Sequence, residues 1–446
     1  MKSICLLIAV LITIPVFAQE NNSAKPPSHV VIIRAGKLWD SVSGQAKTNQ
    51  LIVIRDNRIE KVMSEGAAEA LPQADETIDL SRETVLPGMI DCHTHLFLQG
   101  EDPKEGGYDA QLLQQGIAFR AARATVSARR ALEQGFTTIR DVETEGAGYG
   151  DVGIKRAINA GYIPGPRIFA VGRAISTTGG YPLGGIDGYA PEIIQDLPKG
   201  VQIIDGPIEA RKAAREQIDN GADWIKVYMT HRSWIDKKGN LASQPTLTVE
   251  ELKAIVDEAH GQQKKVACHA YNGIGLQRAL DGGCDSIEHG LLLDDATVSQ
   301  MVKQGTWYVP TLSVYYYWWD PEDTPSGKRD RKRVEVHGPS FQKAMKAGVK
   351  IAFGTDVGGF SWTEPIAQEF GKMVEFGMPP ADAIRAATTK AAELLGMDGE
   401  LGVIAPGAYA DVIAVDGDPA KDVSLLKNVK FVMKDGKVFK NEFAAH

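Results

Sequence analysis

Short apolar runs alternate with longer segments of helical periodicity through the middle of the chain. These runs are rich in valine, isoleucine and aromatic residues and are bounded by turn residues, a pattern that predicts β-strands. Most follow a helical segment that ends in glycine, the residue that adopts the left-handed conformation closing a helix. The predicted strands cover residues 85–95, 137–142, 167–174, 224–229, 266–271, 286–289, 307–312 and 350–356. The helix-closing glycines are Gly135, Gly161, Gly221, Gly283, Gly305 and Gly348, and Thr248 with Glu251 forms a capping box.

This alternation predicts an α/β fold, in which the parallel strands close into a (β/α)8 TIM barrel over residues 85–398. The active site of such a barrel lies at the carboxyl ends of its strands. An open, doubly wound sheet is the alternative. Ligand-type side chains at several strand ends favour the barrel, because only a closed sheet brings all of them to one point.

The sequence pattern at the two ends of the chain differs from that in the middle. Residues 29–84 and 399–446 contain short β-rich runs separated by turns, such as Asp435-Gly436. Neither segment carries enough apolar surface to fold alone. We expect them to pair into one small β-sandwich domain built from both chain ends.

The first residues form a separate unit. Residues 1–18 have a short positive start, an apolar stretch and small residues before Gln19, which is typical of a secretory signal peptide. A membrane anchor is the alternative. Residues 19–28 are polar and proline-rich and are interpreted as a loose leader. We therefore expect an exported protein, periplasmic or secreted, with no membrane contact after signal cleavage.

Composition narrows the remaining classes. A chain of 446 residues suits a large barrel plus a smaller domain, and a net charge of −8 argues against nucleic-acid binding. Beyond the signal peptide the cysteines are Cys92, Cys268 and Cys284. Cys92 and Cys268 each precede a candidate ligand histidine, so alternation turns them toward packing. We predict three buried thiols and no disulfide.

Candidate metal ligands stand at the ends of the predicted strands. His93 and His95 are two residues apart in a strand, so their imidazoles point to one face. His269, His289 and Asp356 end strands five, six and eight. A single histidine at such a place is more often structural, but this set supplies nitrogen and oxygen ligands that suit zinc better than calcium or magnesium.

Lys226 lies inside the apolar strand four, with Tyr228 on the same face. A charged lysine is costly to bury, and burial lowers its pKa until the amine is nucleophilic. Such an amine can add carbon dioxide to form a carbamate, which acts as a bridging carboxylate. A salt-bridged lysine is the alternative.

These residues, in this order on strands one, four, five, six and eight, resemble the amidohydrolase superfamily. The resemblance covers the mature chain and includes the first-strand motif at residues 85–95 and the closing β segment at residues 402–415. Within the superfamily the chain is most similar to the imidazolonepropionase-like and Xaa-Pro or Xaa-Lys/Arg dipeptidase branch. That branch often has Gly-Gly-His where this chain has Gly179-Gly180-Tyr181, which puts the transfer of specificity in doubt.

The resemblance implies a role for each residue. His93, His95 and Asp356 would hold the more buried of two divalent metal ions, and His269 with His289 would hold the second. Carboxylated Lys226 would bridge them. A hydroxide between the metals would be the nucleophile, Tyr228 would donate to the oxyanion, and Asp356 would move the proton to the leaving amine.

Several residues near the predicted strand ends are candidate substrate contacts. They are Tyr181, His231, Arg232, Trp318 and Trp319, the last two in an aromatic run after strand seven. A solvated loop and plain packing are their alternatives, and the basic run 328–333 is interpreted as a solvated helix face.

The expected function is hydrolysis of an amide or peptide bond next to a free carboxylate, in a dipeptide or N-acyl amino acid. Hydrolysis of aromatic amides (toxin-like phenylalanine conjugates), cyclic amides or lactones is the alternative among hydrolases, and an inactive barrel used for binding is the alternative outside enzymes. We expect the binding partner to be a small-molecule or dipeptide-like substrate. Whether the chain forms a homo-oligomer stays open.

Overall fold

The structure is a computed structural model that describes residues 28–67, 71–100, 107–183 and 190–443. The predicted signal peptide and nearly all of the predicted leader lie outside these ranges. No helix in the described ranges is long and apolar enough to cross a membrane. The fold is of the α/β class.

The strands are β1 Val30–Asp40, β2 Gln45–Arg55, β3 Arg58–Ser64, β4 Glu76–Pro87, β5 Met89–Thr94, β6 Phe136–Asp141, β7 Arg167–Ala170, β8 Ile175–Ser176, β9 Gln202–Ile203, β10 Trp224–Tyr228, β11 Thr230–Ile235, β12 Leu241–Pro245, β13 Lys265–Ala270, β14 Ser286–His289, β15 Trp307–Val309, β16 Val412–Val415, β17 Phe431–Lys434 and β18 Lys437–Asn441. The helices are α1 Gly107–Gln114, α2 Ile117–Glu133, α3 Gly150–Asn159, α4 Pro191–Asp196, α5 Pro207–Asp219, α6 Val249–Gly261, α7 Gly273–Gly282, α8 Asp295–Gln304, α9 Leu312–Tyr317, α10 Pro325–Ala347, α11 Gln368–Glu375, α12 Pro380–Ala386 and α13 Thr389–Leu395, and a 3-10 helix covers Val423–Lys427.

The two chain ends meet in one seven-stranded sheet, in the order β18-β17-β16-β4-β1-β2-β3. The joint is the antiparallel pair β4 and β16, where Leu86 faces Ile413. Fully buried side chains such as Ile33, Ile52 and Leu80 give this sheet its own apolar cluster. Pairing of the chain ends therefore follows the expectation. A sandwich of two sheets, and the division of the chain into domains, stay predictions.

The middle of the chain carries parallel strands in two groups, β5-β6-β7 and β15-β14-β13-β10-β8-β9. Predicted strand three is interrupted between β7 and β8, because Asp151 accepts hydrogen bonds from the backbone of Val171 and Gly172. Predicted strand eight is wrong as a regular strand. Its segment has one isolated bridge, between Ile351 and Tyr308, and Val357 just beyond it forms another with Thr94.

Local predictions at the helix ends are confirmed. The predicted closing glycines all have left-handed φ values, between 72° and 100°. Thr248 and Glu251 form the predicted capping box at the start of α6. These features depend on neighbouring residues only, so they can be predicted from the chain without its tertiary contacts.

The prediction of three free thiols is wrong for two of them. Cys268 and Cys284 form a disulfide with a Cα–Cα distance of 6.1 Å, whereas Cys92 is a free, buried thiol. Alternation does turn Cys268 away from His269. The left-handed residue Gly283 ends α7, and Cys284 directly after it bonds to Cys268. This contact depends on where the helix ends in space.

Candidate active site

A cavity of about 1160 Å³ opens at the carboxyl ends of the parallel strands. Its wall contains every residue predicted as a metal ligand, a catalytic residue or a substrate contact. These are His93, His95, Lys226, Tyr228, His269, His289 and Asp356, together with Tyr181, His231, Arg232, Trp318 and Trp319. Parallel strands end at one edge, so residues far apart in sequence converge there.

The candidate ligands face one another at close range. Asp356 Oδ1 lies 3.0 Å from Nε2 of His95 and 3.5 Å from Nε2 of His93. His289 belongs to the same group, since one ligand atom each of His93, His289 and Asp356 lies within 4.8 Å of the others. The rings of His269 and His289 are 4.4 Å apart. The predicted ligands therefore form one continuous cluster.

Two of these ligands have a strained backbone conformation. His289 has a φ of 73° and Asp356 a φ of 62°, both in the left-handed region that non-glycine residues seldom adopt. Such strain persists only where the surrounding structure holds it in place, and it concentrates at functional sites. Here the side chains of both residues line the cavity, His289 at the end of β14 and Asp356 at the end of the segment that predicted strand eight covers.

Hydrogen bonds on the far side of the imidazoles select the atom that faces the cavity. Nδ1 of His93 lies 2.7 Å from Glu288 Oε2, and Nδ1 of His289 lies 2.8 Å from the hydroxyl of Thr311. Nδ1 of His95 is 3.3 Å from Glu145 Oε1. Metal-binding histidines in proteins show this arrangement, in which a partner on one nitrogen fixes the tautomer for the other.

Several polar atoms of this cluster lack hydrogen-bond partners among the described residues. Nε2 of His93, Nε2 of His269 and Nζ of Lys226 are buried, and none has a hydrogen-bond partner among the described residues. Burial lowers the pKa of His93, His269 and His289 well below the usual value, which keeps their rings neutral. Neutral imidazoles with orphaned nitrogens beside a carboxylate fit a divalent transition metal.

Lys226 is almost fully buried in β10. Burial lowers its pKa, although Glu288, Glu143 and Asp356 act in the opposite direction. Within the described ranges its side-chain nitrogen has no carboxylate oxygen within hydrogen-bond range, which argues against the salt-bridged alternative. The carboxylated lysine stays a prediction.

Two buried glutamates in the site were not predicted. Glu143 and Glu145 follow β6 with alternating spacing, so both turn toward the cavity side of the strand end. Glu143 Oε2 accepts a hydrogen bond from the hydroxyl of Tyr228 at 2.5 Å. The predicted role of Tyr228, donation of a hydrogen bond to the oxyanion, would require the same proton. Burial, and then Glu145, raise the pKa of Glu143 well above the usual value. The spacing Asp141-x-Glu143-x-Glu145 is the sequence signal that could have found the pair.

Arg333 lies on another part of the cavity wall. The basic run 328–333 lies in α10 and is not wholly solvated as expected, because Arg333 is only 9% exposed and lines the cavity. Its Nη2 donates to Ser233 at 2.8 Å, its Nη1 lies 3.3 Å from Asp330, and its guanidinium lies over the ring of Tyr271. Burial, and then Arg333, lower the pKa of His231 to about 3.

The aromatic run after strand seven is divided between packing and the cavity. Most of it forms α9 rather than a loop. Tyr315 is buried and packs its ring edge-on against His289 and Trp318. Trp318 donates through Nε1 to the carbonyl of Gly359 at 3.0 Å, whereas Trp319 is about half exposed at the cavity wall.

Comparisons with known proteins agree with this site. The ochratoxinase of Aspergillus niger is 34% identical over 449 aligned residues, which cover 96% of this chain and 89% of that protein. The crystal structure of a Xaa-Pro dipeptidase with methionine bound in its active site superposes with a TM-score of 0.82 at 35% identity, over 92% of this chain and all of that one. The imidazolonepropionase of Streptomyces coelicolor is 25% identical over 406 residues, 87% of this chain and 93% of that protein.

The family model of the amidohydrolase family matches residues 84–439, the segment that contains all of the clustered ligands. The resemblance inferred from the sequence, to the branch with imidazolonepropionases and dipeptidases, is confirmed. The family is metal-dependent and hydrolytic, and the buried histidines and carboxylates supply candidate metal sites. The chain is therefore a member of the amidohydrolase family.

Proposed function

We propose that the protein is a binuclear metal-dependent amidohydrolase that cleaves an amide or peptide bond next to a free carboxylate. Dipeptides and N-acyl amino acids are the substrates proposed. The observation that carries this proposal is the cluster of buried ligands at the cavity floor, where Nε2 of His93, Nε2 of His269 and Nζ of Lys226 lack partners among the described residues.

A closed (β/α)8 barrel is part of the proposal, because it explains how the ligands meet. Backbone hydrogen bonds join residues 350–356 to β15 through Tyr308 and to β5 through Cys92 and Asp356. On the other side, Ile175 of β8 pairs with Val227 of β10. These links support a ring of parallel strands, with a smaller domain formed by the seven-stranded sheet.

The residues divide into two metal sites. His93, His95 and Asp356 would hold the more buried metal, His269 and His289 the second, and carboxylated Lys226 would lie between them. Bound there, divalent metals lower the pKa of the attacking water and polarise the scissile carbonyl. Nitrogen and oxygen ligands of this kind favour zinc.

Proton transfer is assigned to Asp356. Its Oδ1 faces the two histidines of strand one, and its Oδ2 lies 3.9 Å from His289 Nδ1. A carboxylate at this point accepts the proton of the attacking water and delivers it to the leaving amine nitrogen. A positioned general acid–base of this kind contributes typically about 10²–10⁴-fold to rate.

Binding of the substrate carboxylate is assigned to Arg333. Three of its N–H groups point to Ser233 and Asp330, and a guanidinium has five such groups, so donors on Nη1 and Nη2 are left for a ligand. Asp330 offsets part of the positive charge. His231, buried beside Arg333 and with Nδ1 unpartnered among the described residues, offers a further polar contact.

An aromatic amide is the second candidate substrate. Similarity to an ochratoxinase over 96% of the chain and the rings of Tyr317, Trp318 and Trp319 at the cavity wall support it. A catalytically inactive barrel is disfavoured, because no predicted ligand is missing from the cluster. Export to the periplasm or medium is also proposed, and the Cys268–Cys284 disulfide supports an oxidising compartment.

The test is a substrate screen of the metal-reconstituted protein. Zinc, manganese or cobalt would be added with bicarbonate, and dipeptides, N-acyl amino acids and aromatic amides compared with their C-terminal amides. We expect turnover of carboxylate-bearing substrates, at least tenfold loss on amidation of that carboxylate, and loss of activity in Asp356→Asn. Turnover that persists in Asp356→Asn would place the chemistry elsewhere, and absence of turnover in every class would contradict the proposed function.

A further inference from the structure

One wall of the cavity consists of hydrogen-bond acceptors. Tyr228 donates its hydroxyl proton to Glu143, and Tyr181 donates its own to Glu145 at 2.9 Å. A phenol has one proton, so both tyrosine oxygens then offer only lone pairs. Glu145, Tyr181 and Tyr228 line the cavity, and Glu143 is fully buried and contacts it only through Tyr228. These four residues are called the acceptor wall below.

The carboxylates of the acceptor wall lack a cationic partner. Among the described residues, Glu143 forms no ion pair with lysine or arginine, and its buried Oε1 has no hydrogen-bond partner. Glu145 also forms no ion pair with lysine or arginine in the described part of the chain; it accepts a hydrogen bond from Tyr181 and lies 3.3 Å from the imidazole of His95. Arg120 is buried near the pair but donates to the carbonyls of Phe97 and Thr144. A buried carboxylate without a counter-charge is costly, so Glu145 fits a ligand that brings a cation with several donors.

The backbone aims the wall into the cavity. Glu145 has a φ of 50°, a left-handed conformation that is costly for a glutamate. Its side chain is only slightly exposed and lines the cavity together with Tyr108, whose buried hydroxyl also lacks a partner within the described ranges. The strained residue therefore points at the ligand space, and a second polar atom beside it is unsatisfied.

The acceptor wall lies beside the reacting centre. His95 spans the gap, since its Nδ1 contacts Glu145 and its Nε2 lies 3.0 Å from Asp356. In a dipeptide the α-ammonium is two bonds from the scissile carbonyl carbon, so it must lie close to the same centre. The ring of Tyr181 packs 4.2 Å from that of His231, on the side of Arg333. The cavity is therefore polarised across Tyr181, with acceptors at one end and Arg333 at the other.

We propose that the acceptor wall binds the free α-ammonium of a dipeptide, with Glu145 as the specificity-determining residue. The inference rests on the proposed function and narrows it to zwitterionic dipeptides, in preference to N-acyl amino acids. An N-acyl substrate carries no cation, and its binding would leave buried acceptors unpaired. A site built around such hydrogen bonds rejects an analogue that lacks the donor by factors of about 10⁴ or more in favourable cases.

The experiment compares a matched pair of substrates on the metal-loaded enzyme. A phenylalanyl dipeptide is measured against its 3-phenylpropanoyl analogue, in which hydrogen replaces the α-ammonium. We expect wild type to prefer the dipeptide at least about 100-fold in kcat/KM. Glu145→Gln should reduce that ratio at least tenfold, mainly through the KM of the dipeptide. Asp320 also lines the cavity but does not belong to the acceptor wall. Asp320→Asn removes one negative charge there and should preserve the ratio.

Measurement of the metal content distinguishes binding of the α-ammonium by Glu145 from a role in which Glu145 only orients His95. If Glu145→Gln loses metal and slows both substrates by the same factor, Glu145 only positions the histidine, and the inference is overturned. Equal turnover of the pair by wild type overturns the inference and leaves the proposed function standing. If neither compound is hydrolysed, the proposed function fails. Calorimetric binding of the same pair to the metal-loaded protein then decides on the acceptor wall, with equal affinities counting against it.

Discussion

Glu288 accepts a hydrogen bond from Nδ1 of His93 at 2.7 Å, and both side chains are fully buried. Arg140 pairs with the same carboxylate at 2.8 Å. Glu288 precedes His289 in β14, so one strand carries a candidate ligand and the residue that orients a ligand of β5. This contact leaves Nε2 of His93 directed at Asp356.

Replacing Glu288 with glutamine should weaken metal binding. The amide keeps an acceptor for His93 but removes the charge that Arg140 requires. Loss of such an outer partner typically costs about 10–100-fold in metal affinity or activity, and an unpaired buried charge costs about 3–5 kcal/mol in stability. Metal per chain after dialysis, kcat/KM and denaturant unfolding would measure both effects. Glu393→Gln, at an exposed pair with Lys350, is the control, and equal behaviour of the two variants would contradict the assignment.

Lys226 should be needed for full metal occupancy. With bicarbonate present we expect about two divalent metals per chain in wild type. Lys226→Ala should lose the second metal and most activity, because the bridging carboxylate is gone. Short carboxylic acids should restore part of the rate. The role of Lys226 as a bridge would be rejected by an unimpaired alanine variant, or by wild type that binds less than about one metal.

The two tryptophans after α9 should have separable effects. Trp319 is half exposed at the cavity wall, so Trp319→Ala should change the preference between aromatic and small substrates with little change in melting temperature. Trp318 is tied to Gly359 and packs on Tyr315, so Trp318→Ala should also lower stability, because aromatic pairs contribute about 0.5–1.5 kcal/mol beyond burial. Equal changes in kcat/KM for both substrate classes would make the run purely structural.

Glu369 should give the protein a pH-dependent stability. Burial raises its pKa to about 7 from 4.5, although it accepts hydrogen bonds from the backbone of Leu312 and Ser313. Between pH 4.5 and 7 the folded state keeps a proton that the unfolded state has lost. The stability that the protonated Glu369 contributes is therefore fully present below pH 4.5. It is lost as the pH rises through 7, which lowers the free energy of unfolding by about 3 kcal/mol.

Denaturant unfolding of wild type and Glu369→Gln at pH 5 and pH 8 measures this effect at a constant metal concentration. Wild type should lose more stability than the variant between the two values, since glutamine does not titrate. Parallel pH profiles for the two proteins would show that the Glu369 carboxyl titrates as it does in the unfolded chain.

Features that depend on local periodicity can be predicted from the order of the residues alone. His93 and His95 were predicted on one face because alternation in a strand is a property of neighbouring residues. The closing glycines and the Thr248 capping box follow from the same short-range rules. The candidate ligands then meet because the carboxyl ends of parallel strands lie at one edge.

Contacts between distant segments depend on the packing of the folded chain. Tyr228 meets Glu143 across 85 residues, and His93 meets Glu288 across 195. Arg333 belongs to a run that looks solvated in the sequence, and only the packing of α10 on β11 buries it beside the cavity. Cys268 finds Cys284 because α7 ends where it does. A local pattern specifies the direction of a side chain, but its partner depends on how the strands and helices pack.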